Sequence, residues 1–271
     1  RNRIQADPEL SGVCAVLFDE VHERSLDSDF GLALALDAQG ALRPDLRLVA
    51  MSATLDGERF ATLMNAGVIT SEGRSHPLAI RHIGRRAEAR IEDEMAAAIR
   101  RAMTEEAGDI LAFLPGVGEI ERTAEKLAGI AAQIHRLHGS LDPAEQRAAI
   151  RKGAERKVIL ATSIAETSLT IDGVRIVIDS GLARRARYDR SAGVTRLVTE
   201  RVSQAAATQR AGRAARQGLG VAYRLWEEGA TAGLLRFDPP EILEADLSPL
   251  LLDCALWGVA DPGTLRWLDP P

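Results

Sequence analysis

Two rounds of short Val/Ile/Leu-rich runs alternating with longer stretches of helical period constrain this chain more than any other feature. A continuous apolar run needs cover on both of its faces, and helices crossing over between parallel strands supply that cover. Val13–Phe18 ends abruptly in Asp19-Glu20, and Leu46–Met51 ends in Ser52-Ala53-Thr54. Between them Phe30–Gln39 has helical spacing and is closed by Gly40 and Pro44. Strand, helix, strand in that order predicts a crossover unit, right-handed by strong precedent. A second series follows the loop Ser71–Pro77, with helices over Glu92–Ala107, Glu119–Ile130 and Pro143–Lys152. Its strands are Asp109–Leu114, Ala132–Leu137, Lys157–Ala161 and Val174–Ile178, and Asp142 caps the third helix ahead of Pro143. Beyond Asp238-Pro239-Pro240, Ile242–Trp257 is apolar at helical spacing. The pattern predicts two α/β units and a helical tail.

The 271 residues suffice for about two domains. Cys14 and Cys254 both lie in apolar runs, which predicts two buried thiols in a reducing, cytoplasmic compartment rather than a disulfide or a zinc cluster. No apolar run approaches the ~20 residues that a bilayer span requires, so no membrane partner is expected. The net charge of −5 hides a local surplus: Arg175–Arg224 holds eleven arginines against three acids. Such a belt fits an anion, either phosphate or a nucleic-acid backbone.

Asp19-Glu20-Val21-His22 follows directly on a buried strand, and ligands of open parallel sheets bind at the carboxyl ends of strands. A strand-end Asp suits Mg²⁺, which takes few carboxylates and keeps its waters, and an adjacent Glu suits activation of a water. Two acids capping a strand in a solvated turn is the plainer alternative. His22-Glu23 begins a zinc-protease pattern, but Leu26 stands where its second histidine belongs. Asp27-x-Asp29-x-Gly31 begins a calcium loop, but Ala38 stands at the twelfth position. Ser52-Ala53-Thr54 should lie beside the Asp19-Glu20 strand end. The stretch Ala161–Gly173 packs Thr162, Ser163, Glu166, Thr167, Ser168, Thr170 and Asp172 after a strand, which suits hydrogen bonding to phosphate, ribose or water. In Gln209–Arg216, Arg213 and Arg216 at i, i+3 would project from one helix face as a planar, permanently charged clamp.

Taken in order, these pieces resemble superfamily 2 nucleic-acid-dependent ATPases, and within them the DEAH/RHA helicases. Asp19–His22 with Glu23-Arg24-Ser25-Leu26 resembles motif II, Ser52-Ala53-Thr54 motif III, and Phe113-Leu114-Pro115-Gly116 motif IV. Ala161–Gly173 resembles motif V and Gln209–Arg216 motif VI. The context of Asp56-Gly57-Glu58-Arg59, Ser71-Glu72-Gly73-Arg74 and Phe237–Leu243 is similar to the bacterial HrpB subgroup of ATP-dependent RNA helicases.

The resemblance implies two RecA-like parallel-sheet domains that close on ATP. Residues 1–75 would be the C-terminal half of the first, 76–236 the second, and 237–271 the start of a helical winged-helix domain. Asp19 would hold Mg²⁺ through water, Glu20 would activate the hydrolytic water, and His22 would link the nucleotide site to the second domain. Ser52 and Thr54 would couple hydrolysis to RNA. Thr162 and Ser163 would contact the RNA backbone, while Thr170 and Asp172 would face nucleotide. Gln209 would position water, and Arg213 and Arg216 would be the arginine fingers. Arg184, Arg185 and Arg187 fall where the family carries a strand-separating hairpin, with Gly193 as its turn, and would grip single-stranded RNA.

Three positions depart from the family pattern: Ala215 and Ser163 replace the usual glycine and asparagine, and Val21 replaces alanine. The phosphate-loop pattern G-x-x-x-x-G-K-[ST] does not occur in the 271 residues. The chain is therefore expected to begin inside the first RecA-like domain and to be inactive alone. A non-catalytic RNA-binding scaffold and a DNA-directed helicase are the competing readings, and no obligate protein partner is implied.

Overall fold

The computed structural model describes residues 1–53, 57–71, 76–151, 153–166 and 171–271. Thr54, Asp56, Glu72, Gly73, Arg74, Thr167, Ser168 and Thr170, singled out from the sequence, lie outside the described residues. Two compact units emerge: Arg1–Glu72 with Ala186–Leu197 and Pro239–Pro271, and Gly73–Arg185 with Val198–Asp238.

In the first unit, β1 (Ala15–Phe18) and β2 (Arg47–Ala50) pair in parallel, with Phe18 opposite Ala50. The crossover between them is α2 (Leu26–Ala41), which follows α1 (Asn2–Ala6). The Ser25 side chain caps α2 by accepting from the Ser28 amide at 3.2 Å, so the helix starts four residues before the apolar period. Helix α2 is buried nearly all round, from Phe30 through Leu36, and is the axis of this unit. One side meets Ile4, Leu10 and Leu46, together with Ile242, Leu250, Cys254, Leu265 and Trp267 of the C-terminal stretch. Trp267 stacks on Phe30 with centroids 5.8 Å apart. The other side meets Val21 and Phe60, the latter on α3 (Gly57–Met64). Cys254 is buried as expected, but Cys14 is exposed: it precedes β1 and lies outside the ladder.

The second unit is a six-stranded parallel sheet. In chain order it holds β3 (Leu78–His82), α4 (Ile91–Glu105), β4 (Asp109–Phe113), α5 (Val117–Lys126), β5 (Gln133–Leu137), α6 (Pro143–Ile150), β6 (Lys157–Ala161) and β7 (Val174–Asp179). The hairpin strands β8 (Leu182–Asp189) and β9 (Val194–Arg201) follow in sequence, their outer part Ala186–Leu197 grouping with the first unit, and then come α7 (Gln204–Gly212) and β10 (Gly220–Arg224). Sheet order is β3-β10-β7-β4-β6-β5. Alternation along the strands explains the apolar runs: Ile110, Ala112, Val158 and Leu160 face Met95, Ile99 and Ile120 on one side. Leu111, Phe113, Ile159 and Ala161 join Ala149, Ala211 and Ala214 on the other. The α/β fold with a RecA-like parallel sheet is thus borne out. The expected hairpin also forms, with Gly193 at φ +64° in its turn.

The helical tail is shorter than its apolar period: a single-turn helix at Glu241–Leu243 precedes α8 (Ser248–Leu256). Packing groups this tail with the first unit, so Trp267→Ala should destabilise that unit by about 3 kcal/mol. Urea unfolding followed by Trp fluorescence checks this, since Trp257 remains in the variant to report on the C-terminal stretch.

Candidate functional site

In the first unit the expected site residues gather at one strand-end turn. Past β1 the ladder continues, with the Met51 amide donating to the Phe18 carbonyl at 2.8 Å and the Val21 amide donating to the Met51 carbonyl at 3.1 Å. Asp19 is exposed and accepts from the Glu20 amide at 2.9 Å. Glu20 takes a left-handed conformation at φ +51°, rare for a residue with a side chain and costly enough to need support. The support is His22, whose Nδ1 accepts from the Ala53 amide at 3.3 Å and lies 3.5 Å from Glu20 Oε2. A nitrogen that accepts from an amide has no proton to give Glu20, so His22 steadies the turn through its bond to Ala53 and not through the carboxylate. Asp19-Glu20 and Ser52-Ala53 therefore lie side by side, as expected, with His22 as the link.

Arg24 is also left-handed, at φ +52°, and buried. Its guanidinium donates to Asp29 at 2.9 Å and pairs with Asp269 at 2.7 Å. The Arg24 carbonyl accepts from Glu241, and Glu241 Oε2 accepts from the Leu26 amide at 2.7 Å. The sequence treated Arg24 as a motif flank. Here it anchors the turn that holds the acids, and its reversed backbone is the detail that no pattern announces.

In the second unit the expected residues centre on Arg210, which is 1 % exposed. It donates to Asp179 Oδ1 at 2.8 Å, to Glu166 Oε1 at 2.6 Å and to the Leu182 carbonyl at 3.1 Å, with its guanidinium 4.8 Å from the Phe113 ring centroid. Burial pushes the Glu166 carboxyl upward, and Arg210 opposes that shift. Arg213 donates from Nε to the Glu166 carbonyl at 2.6 Å. One residue of motif V thus holds two arginines of motif VI.

The expected i, i+3 pair flanks a 3₁₀ turn and not a helix face. Helix α7 ends at Gly212 and a single 3₁₀ turn, Arg213–Ala215, follows. Arg213 folds back onto motif V while Arg216 is exposed. Buried Ala214 and Ala215 seat this turn against Gly220, where any Cβ would come within 2.4 Å of Ala214 carbonyl carbon. Gln209 is half-buried beside them on α7.

Thr162 follows β6 and donates its amide to Leu137 at 3.1 Å, leaving Ser163 exposed. Asp172 accepts from the Gln217 side chain at 2.7 Å. The three expected hairpin arginines face carboxylates: Arg184 faces Glu119 at 3.4 Å, Arg185 faces Asp238 at 2.7 Å, and Arg187 pairs with Glu244. Asp19, Asp172, Arg184 and Arg216 are the exposed charges of the expected set. Among the described residues no group of three His, Cys, Asp or Glu side chains is placed to hold a metal. A lone exposed Asp fits Mg²⁺, which keeps most of its waters and takes its remaining ligands from phosphate.

A parallel sheet with motif V and motif VI locked at its carboxyl edge defines a RecA-like helicase domain, and the comparisons place it more closely. The family model "Helicase conserved C-terminal domain" matches residues 93–218. The ATP-dependent RNA helicase HrpB of Escherichia coli is 48% identical over 274 residues, covering 99% of this chain and 34% of that protein. The E. coli ATP-dependent RNA helicase HrpA is 36% identical over 277 residues, covering 99% of this chain and 21% of that protein. The crystal structure of E. coli DEAH/RHA helicase HrpB superposes with a TM-score of 0.93, covering 100% of this chain and 35% of that one. The chain belongs to the DEAH/RHA helicase family and is HrpB-like. It spans about a third of the length of E. coli HrpB.

Arg210 and Arg216 should separate cleanly on substitution. Arg210→Met leaves Asp179 and Glu166 buried without their cation and should cost about 3–5 kcal/mol, whereas Arg216→Met should stay within about 0.5 kcal/mol. Chemical denaturation of the two variants measures both.

Proposed function

We propose that this chain supplies hydrolytic and strand-gripping residues of a DEAH-type, ATP-dependent RNA helicase. The observation that carries the reading is the lock of Arg210 and Arg213 onto Glu166, in a chain 48% identical to an ATP-dependent RNA helicase. Residues 1–75 and 76–236 would belong to successive RecA-like domains and 237–271 to the start of a winged-helix domain, acting in the cytoplasm. Asp19 would hold Mg²⁺ through water, and Glu20, fixed at the strand end, would draw a proton from the attacking water. Mg²⁺ and ATP supply the reacting phosphate and the neutralisation of its charge. Gln209 would orient water, Arg216 and Arg213 would stabilise charge on the leaving phosphates, and Thr170 and Asp172 would face the nucleotide. His22, Ser52 and Thr54 would pass the state of the nucleotide to the RNA contacts. Thr162, Ser163, Arg184, Arg185 and Arg187 would meet the backbone of single-stranded RNA, the arginines by exchanging their present carboxylates for phosphates. Backbone contacts of this kind also admit DNA.

The lack of a G-x-x-x-x-G-K-[ST] pattern in these residues favours a second, non-catalytic RNA-binding reading. One experiment decides between them. The chain alone should show no ATPase, and a chimera in which it replaces the matching stretch of E. coli HrpB should hydrolyse ATP in response to RNA. Glu20→Gln in that chimera should slow hydrolysis by about 10²–10⁴-fold while leaving nucleotide binding intact. A chimera that binds RNA but never hydrolyses ATP would support the scaffold. Matched RNA and DNA oligonucleotides settle the preferred strand.

A further inference from the structure

Away from these motifs, the second unit carries a cavity of about 460 Å³ lined by Ile80, His82, Arg224, Glu228 and Thr231. His82 and Arg224 are the last residues of β3 and β10 and are register partners. The cavity therefore opens at the carboxyl ends of two parallel strands, the edge where such sheets bind ligands. Arg224 is 6 % exposed, and its Nε has no hydrogen-bond partner among the described residues. Asp179, the register partner of Arg224 on β7, is near enough for its charge to be felt there, but it makes no hydrogen bond to Arg224: its Oδ1 is committed to Arg210 and its Oδ2 has no hydrogen-bond partner among the described residues. The guanidinium rests 5.3 Å from the Trp226 ring centroid, and the Trp226 indole donates to Thr231 Oγ1 at 3.0 Å. His82 Nε2 lies 3.4 Å from the same hydroxyl, with burial and Arg224 both favouring the neutral ring. A buried cation without a bonded carboxylate is costly and is retained where something else supplies the anion.

We propose that this cavity binds a carboxylate borne on a short apolar stem, with Arg224 as counter-charge, Thr231 as a further donor and Ile80 as the apolar wall. Glu228 on the wall repels any anion, a doubly charged phosphate about twice as strongly as a single carboxylate, so the lesser charge is favoured. A nucleic-acid strand presents its phosphates along a surface, not to a guanidinium nine-tenths buried. The carboxylate could come from a free metabolite-like acid or from an acidic side chain of a protein, and the two sources are distinguishable.

The 271-residue chain is titrated with sodium butyrate, with the peptide acetyl-Ala-Glu-Ala-amide, with inorganic phosphate and with oligo-uridine. Ionic strength is held constant with chloride while melting temperature and Trp fluorescence are followed. Butyrate or the peptide should give a saturable rise of about 3 °C at ten times its dissociation constant, the tighter of the two naming the source. Arg224→Met should abolish the rise yet melt close to the parent, because the burial cost it removes offsets the lost attraction of Asp179. Thr231→Val should weaken binding about tenfold. The proposal fails if neither carboxylate saturates, if Arg224→Met keeps the response, or if phosphate or oligo-uridine outcompetes both carboxylates. It also fails if Arg224→Met melts several degrees lower while Thr231→Val binds like the parent, since Arg224 would then be structural.

Discussion

The second unit's functional edge depends on one buried cation. Arg210 on α7 bonds Asp179 at the end of β7 and Glu166 in the loop after β6, over the ring of Phe113 at the end of β4. Four segments far apart in sequence meet at that guanidinium. A charge so deeply buried is tolerated only with its partners in place, so this cluster tolerates few alternative arrangements. Its consequence reaches outward: Glu166, held by Arg210, offers its carbonyl to Arg213, and the turn carrying Arg213 ends in exposed Arg216. The reach of Arg216 is thus set from beneath by a residue that need never touch a nucleotide.

The first unit repeats the device on a smaller scale. Glu20 and Arg24 both take left-handed backbone, and the stretch they bracket is fixed by His22 to Ala53 and by Arg24 to Asp29 and Asp269. Backbone strain of this kind persists where the surroundings over-determine it. Here the surroundings include the C-terminal stretch, whose Trp267 also covers Phe30. A tail that reads from sequence as a separate element therefore supports the turn bearing the acids.

The strands β4, β6 and β7 were legible because both faces of their sheet are covered, which leaves an unbroken apolar signature; β1 and β2 carry the same signature although Leu17 and Val49 are exposed. Edge strand β3 was not, since its Ala79, Ile80 and Arg81 are exposed and its pattern is broken by charge. Strand β10 hides in Gly-Val-Ala-Tyr-Arg, directly after the arginine belt, and α7 hides in alanines too small to show a period. The motif residues themselves were legible as a set, but their division of labour was not. Arg210, Arg213 and Arg216 look alike in sequence. Only burial separates a structural cation, a bent intermediate and an exposed arm. Likewise the arginines of the hairpin read as a bare cationic patch, while Glu119, Asp238 and Glu244 sit opposite them in space from distant parts of the chain.

The lock between motifs V and VI is tested most directly by Glu166→Gln in the E. coli HrpB chimera, followed by nucleotide affinity and RNA-stimulated ATP hydrolysis. If Glu166 positions the arginines, affinity stays near the parent value while hydrolysis falls at least about tenfold, the loss of one aligned charge-stabilising contact. Hydrolysis at the parent rate, in a variant that folds and binds ATP, would contradict the account.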